Sequence, residues 1–280
     1  MRIGKNKEKL KHLKFFRQNM SSLLKFSLFF LFLIFNISNS FSAEKQEKLL
    51  KQSWSFDGFF GKFDRASLQR GYQVYTEVCA SCHSMKLLSY RNLSEVGGPS
   101  FSEEEVKAIA SKIEVSDGPN DSGEMFKRAG KPSDKFASPF PNEKAARAAN
   151  GGAYPPDMSV LVKARAGGPD YIYSILMGYD DKPPKSVKLE DGVYYNKYMA
   201  GNKIKMAQPL NKDSVNYSDG TVATQEQLAK DVVTFLTWAS EPHLEARKRI
   251  GFKTVVYLLI LTVLVYLVKK KIWLRVEPKV

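Results

Sequence analysis

Cysteine and histidine are scarce in this chain. Two cysteines and three histidines in 280 residues exclude a disulfide-built scaffold. Beyond the N-terminal 43 residues only His83 and His243 remain, so a structural zinc site would have to recruit carboxylates. Long apolar runs are also few. Phe26 to Phe35 and Thr254 to Val268 are the two long uncharged apolar stretches, which excludes a polytopic membrane protein. A basic excess in the folded body is missing as well. The formal charge of +14, from 43 basic and 29 acidic residues, suggests a polyanion binder until it is mapped along the chain. Residues 1–43 hold eight basic side chains and one acidic, and residues 247–280 hold nine and one, whereas 44–246 hold 26 and 27. A duplex-binding domain keeps its positive charge in the body, so nucleic acid is excluded as a partner. What is present is enough for a folded domain: 43% of the residues are hydrophobic, and 18 glycines and 13 prolines point to a loop-rich one.

Both ends carry membrane signals. Basic residues from Arg2 to Lys25 precede the apolar run Phe26–Phe35, and small or polar residues follow to Ala43. That order reads as a cleaved export signal over 1–42, with Ser40 and Ser42 at the small-residue positions; a retained N-terminal anchor is the alternative, although ten apolar residues fall short of the ~20 that span a bilayer. The C-terminal run is longer. Ile250 to Phe252 and Ile272 to Leu274 extend it, Lys253 and Lys269 to Lys271 can snorkel, and Tyr257 and Trp273 suit an interface. The reading is a membrane helix over 247–273 with a short tail over 274–280; a buried core helix is the alternative. Flanking charge barely orients it, so orientation comes from the export signal: the body is exported and the Lys-rich tail stays behind.

The two cysteines belong to one motif, Cys79-Ala80-Ser81-Cys82-His83. C-x-x-C-H is the attachment signature of c-type haem. Two thiols three positions apart on a turn each reach one porphyrin vinyl group, and the adjacent imidazole lies under the iron. A thioredoxin-like dithiol needs a βαβ context that the flanks lack, and a disulfide at this spacing would be strained. Export strengthens the haem reading, because this haem is attached on the oxidising side of a membrane.

The flanks support it. Asp64 or Ser67 can cap a helix whose inner register runs Leu68, Gly71, Tyr72, Tyr75, Val78. A second amphipathic helix runs from Thr224 to Ala239, with Leu228, Val232, Phe235 and Leu236 on one face and Pro242 after its end. Gly71 would permit close approach of the two. Asp170 to Met177 reads as a third helix. A low-spin electron-transfer haem needs a second axial ligand, and spacing alone prefers Met158 or Met206, each in a proline-containing irregular segment.

From Trp54 to Pro278 the chain resembles the cytochrome c1 family, the haem-bearing subunit of quinol–cytochrome c oxidoreductase. The matching stretches include Trp54-Ser55-Phe56-Asp57-Gly58, Leu68 to Tyr75, the haem motif, Tyr90-Arg91-Asn92-Leu93, Ala146 to Ser159, Lys163 to Gly168, Asp219-Gly220-Thr221, Lys248 to Phe252 and the single C-terminal helix. The resemblance implies one covalently bound haem c on Cys79 and Cys82, with His83 and Met206 as axial iron ligands. Met206 is selected by the Met206-Ala207-Gln208-Pro209-Leu210 stretch, in which Gln208 stands where many relatives have proline. It also implies that Arg165 contacts a haem propionate, and that Pro156 and Tyr171 lie near the haem. The implied partners are cytochrome b, the Rieske iron–sulfur protein as electron donor and a soluble c-type cytochrome as acceptor, in a dimeric complex. No bond-making site is expected on this chain, whose enzymatic role is that of a subunit. Other readings are a membrane-anchored c-type cytochrome that shuttles electrons to an oxidase, and a haem-based sensor.

The expected fold is mainly α: a cytochrome c-type haem domain over 43–246 with long loop insertions, plus one C-terminal transmembrane helix. The domain would face the periplasm from the cell inner membrane, or the intermembrane space from the mitochondrial inner membrane. Residues 103–124 carry seven acidic and two basic side chains, a net −5, which is either a solvated loop or a surface that steers a cationic cytochrome.

Overall fold

The structure is a computed structural model that describes residues 47–185, 187–212 and 214–275; the export segment read over 1–42 lies outside the described residues. The described residues form six α-helices, α1 (Arg65–Glu77), α2 (Glu103–Ser111), α3 (Glu143–Ala149), α4 (Gly168–Met177), α5 (Gln225–Ser240) and α6 (Leu244–Trp273). Two small antiparallel sheets accompany them, β1 (Glu114–Asp117) with β2 (Phe126–Ala129) and β3 (Tyr194–Tyr195) with β4 (Lys203–Ile204). The mainly helical fold with one long C-terminal helix is as the sequence implies.

Local chemistry sets the ends of the two principal helices. The Asp64 carboxylate accepts from the N–H groups of Ala66 and Ser67 at 3.0 and 3.4 Å and starts α1. The Thr224 hydroxyl accepts from Gln227 N–H at 3.2 Å and starts α5. The two helices cross at Gly71. A Cβ at that position would lie 2.1 Å from the Asp231 carbonyl oxygen and 2.7 Å from the Phe235 Cβ, so only hydrogen fits.

Beside this crossing a buried carboxylate joins the helices. Asp231 of α5 accepts from Ser67 Oγ at 2.6 Å, from Arg70 Nε and Nη2 at 2.8 and 3.1 Å, and from Gln227 Nε2 at 2.9 Å. Arg70 also pairs with Asp219 at 2.8 Å and lies over the Tyr217 ring. A buried charge is tolerated when its lone pairs are this fully occupied. Around it the core is strongly aromatic. Tyr72 and Tyr75 meet Phe235 with ring centroids 5.7 and 5.8 Å apart, and Tyr90 stacks on Phe136 at 4.7 Å.

Residues 47–54 form a strap held by α4. Asp170 accepts from Lys51 Nζ at 2.8 Å, Gln52 N–H at 3.2 Å and Trp54 Nε1 at 2.9 Å, while Ser174 Oγ accepts from Leu50 N–H at 2.9 Å. Helix α6 opens at Leu244, three residues before the membrane helix expected over 247–273, because its first turn belongs to the head. Leu244 is buried, and Glu245 accepts from Phe63 N–H at 2.9 Å and pairs with Arg65 at 2.8 Å. The thirty residues of α6 together span about 45 Å at ~1.5 Å per residue, against ~30 Å of bilayer hydrocarbon. Its apolar window is wholly exposed, with a mean hydropathy of 2.2, so it is not a core helix.

Candidate haem site

Helix α1 ends where the motif begins. The chain tightens after Val78 into a 3-10 turn over Cys79–Ser81. The N–H groups of Cys82 and His83 both donate to the Cys79 carbonyl, at 3.1 and 2.9 Å, which winds the two thiols and the imidazole around one point. The cysteines are unpaired and half-buried. Burial of its sulfur, with Cys82 adjacent, pushes the Cys79 thiol up to about 12. Such a thiol is no activated thiolate, which argues against a redox dithiol.

The His83 ring is fixed by its backbone partner. Its Nδ1 lies 2.8 Å from the Pro156 carbonyl oxygen. A carbonyl only accepts, so Nδ1 carries the proton and Nε2 keeps its lone pair for a metal. Burial draws the ring below its ordinary basicity despite the opposing pull of the Pro156 carbonyl and Asp157, a shift toward the neutral form that a ligand needs.

The loop that supplies Pro156 is sewn to the haem motif chiefly by Asp157 and Ser159, to which the sequence pattern assigns no role. Asp157 Oδ2 accepts from Ser84 Oγ at 2.7 Å and Lys86 N–H at 3.0 Å, and its Oδ1 accepts from Ser159 N–H at 2.9 Å. Ser159 Oγ accepts from Leu87 N–H at 3.0 Å, and Met158 N–H donates to the Ser84 carbonyl at 2.8 Å. The available signal was the Asp157-Met158-Ser159 pattern itself, a side chain placed to bond the backbone two residues on. A shallow, open cleft lies beside the motif, with Cys82, Ser84, Phe140, Tyr154 and Pro155 among its walls.

The other predicted residues fall into three groups. Pro156 joins the motif through its carbonyl, while its ring is exposed. Tyr171 and Met206 pack against a small apolar cluster of Ile175, Tyr198 and Ile204, and Tyr171 also touches the main core. Tyr171 Oη donates to Met199 Sδ at 3.6 Å, and Tyr179 Oη donates to the Met206 carbonyl at 3.0 Å. Met206 is half-buried, whereas Met158, the other methionine that spacing preferred, is packed into the main core. Arg165 stands apart: it is exposed, and its Nη1 donates to the adjacent Ala164 carbonyl at 3.2 Å.

These donors fit a c-type haem. Two unpaired thiols and an imidazole whose Nδ1 is held by a carbonyl, leaving Nε2 to face a metal, are the donor set such a group requires. Comparison with known proteins agrees. The Cytochrome C1 family profile matches residues 54–276. A cytochrome b/c1 of Bradyrhizobium diazoefficiens is 50% identical over 256 residues, covering 85% of this chain but only 37% of that longer protein. A mitochondrial cytochrome c1 heme protein of Arabidopsis thaliana is 51% identical over 223 residues, covering 79% of this chain and 71% of the relative. The cytochrome c1 of Rhodospirillum rubrum is 47% identical over 244 residues, covering 82% of this chain and 89% of the relative. With a profile match across most of its length and relatives near half identity on both sides of the bacterial–mitochondrial divide, the chain belongs to the cytochrome c1 family.

Proposed function

We propose that this chain is the haem-bearing electron-transfer subunit of a quinol–cytochrome c oxidoreductase, taking one electron from a Rieske iron–sulfur protein and passing it to a soluble c-type cytochrome. The observation that carries the proposal is the hydrogen bond from His83 to Pro156, which presents Nε2 next to two unpaired thiols. Haem c, when bound, supplies a one-electron iron couple. Cys79 and Cys82 would hold it by thioethers, and His83 would ligate its iron through Nε2. Met206 would be the second protein ligand: its half-buried position, and the Tyr179 hydrogen bond that holds its backbone, support it over Met158. Pro156 and Tyr171 would bound the haem environment, and the exposed Arg165 guanidinium would pair with a propionate by charge and fork geometry.

Helix α6 crosses the membrane as residues 247–273, with the haem domain over 43–246 on the periplasmic side, or in the intermembrane space of a mitochondrion, and the tail over 274–280 opposite. Cytochrome b is the partner in the membrane, and the Bradyrhizobium relative, whose name joins cytochromes b and c1, supports that pairing. The complex is a dimer, and its bond-making chemistry belongs to the assembly.

The acidic stretch 103–124 supports docking of a cationic cytochrome less fully than its charge of −5 suggests. It is a helix and a strand rather than a plain loop. Glu105 closes a capping box with Ser102, Glu114 pairs with Lys127 at 3.0 Å, and Asp117 pairs with Arg128. Glu103 and Glu104 in the first turn of α2 remain exposed. Transfer to a basic acceptor therefore slows as salt rises, and Glu103→Gln with Glu104→Gln flattens that dependence; a rate indifferent to ionic strength removes the docking surface.

The deciding experiment is purification of the tagged chain from membranes, with a pyridine haemochrome spectrum and identification of its companions. A c-type spectrum together with cytochrome b and a Rieske protein is expected. Met206→Leu should abolish the weak far-red charge-transfer band of ferric His/Met haem and lower the potential by a sizeable fraction of the ~0.8 V that axial ligands command. A surviving band would reassign the ligand.

A further inference from the structure

One exposed apolar feature lies outside the haem site. Between the strap and α1, residues 56–63 contain four phenylalanines with opposite fates. Phe56 and Phe63 are buried and meet at 5.1 Å, and Phe56 stacks on Trp54 at 5.5 Å. Phe59 and Phe60, between them, are 55% and 76% exposed.

The loop is fixed rather than dangling. Lys248 of α6 donates its ammonium to the carbonyls of Phe56, Gly58 and Gly61, at 2.6, 2.6 and 3.4 Å, so three acceptors converge on one cation. Gly61 closes the turn so tightly that a Cβ there would lie 1.9 Å from the Asp57 carbonyl oxygen. The inner pair of rings anchors the loop and the outer pair is held outward. The outer rings also meet the anchor helix. Phe252 of α6, itself 46% exposed, lies 5.9 Å from both Phe59 and Phe60, which lie 5.0 Å from each other. Two residues beyond Phe252 the helix enters the uncharged run 254–268. The three rings are therefore continuous with the apolar surface of α6, and exposed Arg249 and Lys253 flank Phe252 along the helix.

We propose that the Phe59–Phe60 tip is a second membrane contact, seated in the interfacial layer of the bilayer beside the entry point of α6. The proposal rests on the reading of α6 as a membrane anchor. Its occupant is lipid. The phenyl rings have no polar edge to satisfy and meet acyl chains near the glycerol level, while Arg249 and Lys253 sit at the height of anionic headgroups. Continuity with the anchor favours lipid over water, and the lysine clamp fixes the tip so that the head rests on the membrane at two points.

The chain's own cysteines, once in thioethers, leave no free thiol, so Phe60→Cys in the full-length holoprotein in membranes can carry a single nitroxide. Its collisions with oxygen, which concentrates in lipid, and with a water-soluble nickel chelate report its surroundings. Leu259→Cys in the middle of α6 and Val96→Cys on the head serve as references. The expected oxygen-to-chelate ratio at position 60 is several-fold above that at 96 and below that at 259. A ratio equal to that at 96 places the tip in water and overturns the proposal. Protection from both reagents places it against protein, such as a membrane-embedded partner, and also overturns it. If position 259 itself fails to read as lipid, the anchor reading falls first. Phe59→Cys repeats the measurement from the neighbouring ring should the label at 60 disturb the loop.

Discussion

Helices α5 and α6 are neighbours in sequence, separated by Glu241, Pro242 and His243, and they solve opposite problems. Twelve of the sixteen residues of α5 are buried, whereas Leu244 is the one buried residue of the thirty in α6. Both keep hydroxyls among apolar side chains and satisfy them in the same way. Thr237 and Ser240 donate to carbonyls four residues back at 2.7 and 2.8 Å, and Thr254 and Thr262 do so at 3.0 and 2.7 Å. The contrast lies in charge. Helix α5 carries a buried Asp231 that is useful because α1 supplies Arg70 and Ser67, while the middle of α6 carries no charge because no protein group is there to receive one. Apolar content alone does not separate a core helix from an anchor; the placement of one carboxylate does.

The contrast is broken most severely at that carboxylate. Asp231→Ala removes the acceptor of four hydrogen bonds and leaves Arg70 with Asp219 as its remaining carboxylate, at a cost of about 3 kcal/mol. Haem-stained gels should show little or no holoprotein. Paired leucine truncations sharpen it. Leu236→Ala in α5, at 2% exposure, should destabilise the head by ~2–5 kcal/mol, and Leu259→Ala in α6, at 63%, by less than ~0.5 kcal/mol, as read from denaturant unfolding of the haem absorbance. Equal losses would make α6 part of the core. Acid gives the smallest effect. Burial opposes ionisation of Asp170, but Lys51, Trp54 and the Gln52 N–H outweigh it and hold the carboxyl below its ordinary value. Its contribution is therefore complete above about pH 4 and is lost as pH falls through the depressed value. Protease should cut the 47–54 strap progressively below that pH, and Asp170→Asn should leave the strap open at all pH values, while α6 beyond Glu245 keeps its helicity.

What could be read from the sequence follows from how far each interaction reaches. The caps at Asp64 and Thr224 depend on groups two or three residues away, and Gly71 marked the α1–α5 crossing because a helix interior has little other use for glycine. The haem motif was legible because its spacing is its chemistry. The β1–β2 hairpin was not, since neither strand shows a buried apolar face. The strap was hidden because Asp170 reaches partners more than a hundred residues away. The sewing of Asp157 to the motif spans about seventy, and neither side carries a pattern that names the other.

The tie between Glu245 and Arg65, with the grip of Lys248 on three carbonyls, welds the opening turns of the anchor to the head, and the helix then runs unbroken to Trp273. The first turns of the anchor therefore belong to the packing of the haem domain, joined to it by side chains and not by a linker alone.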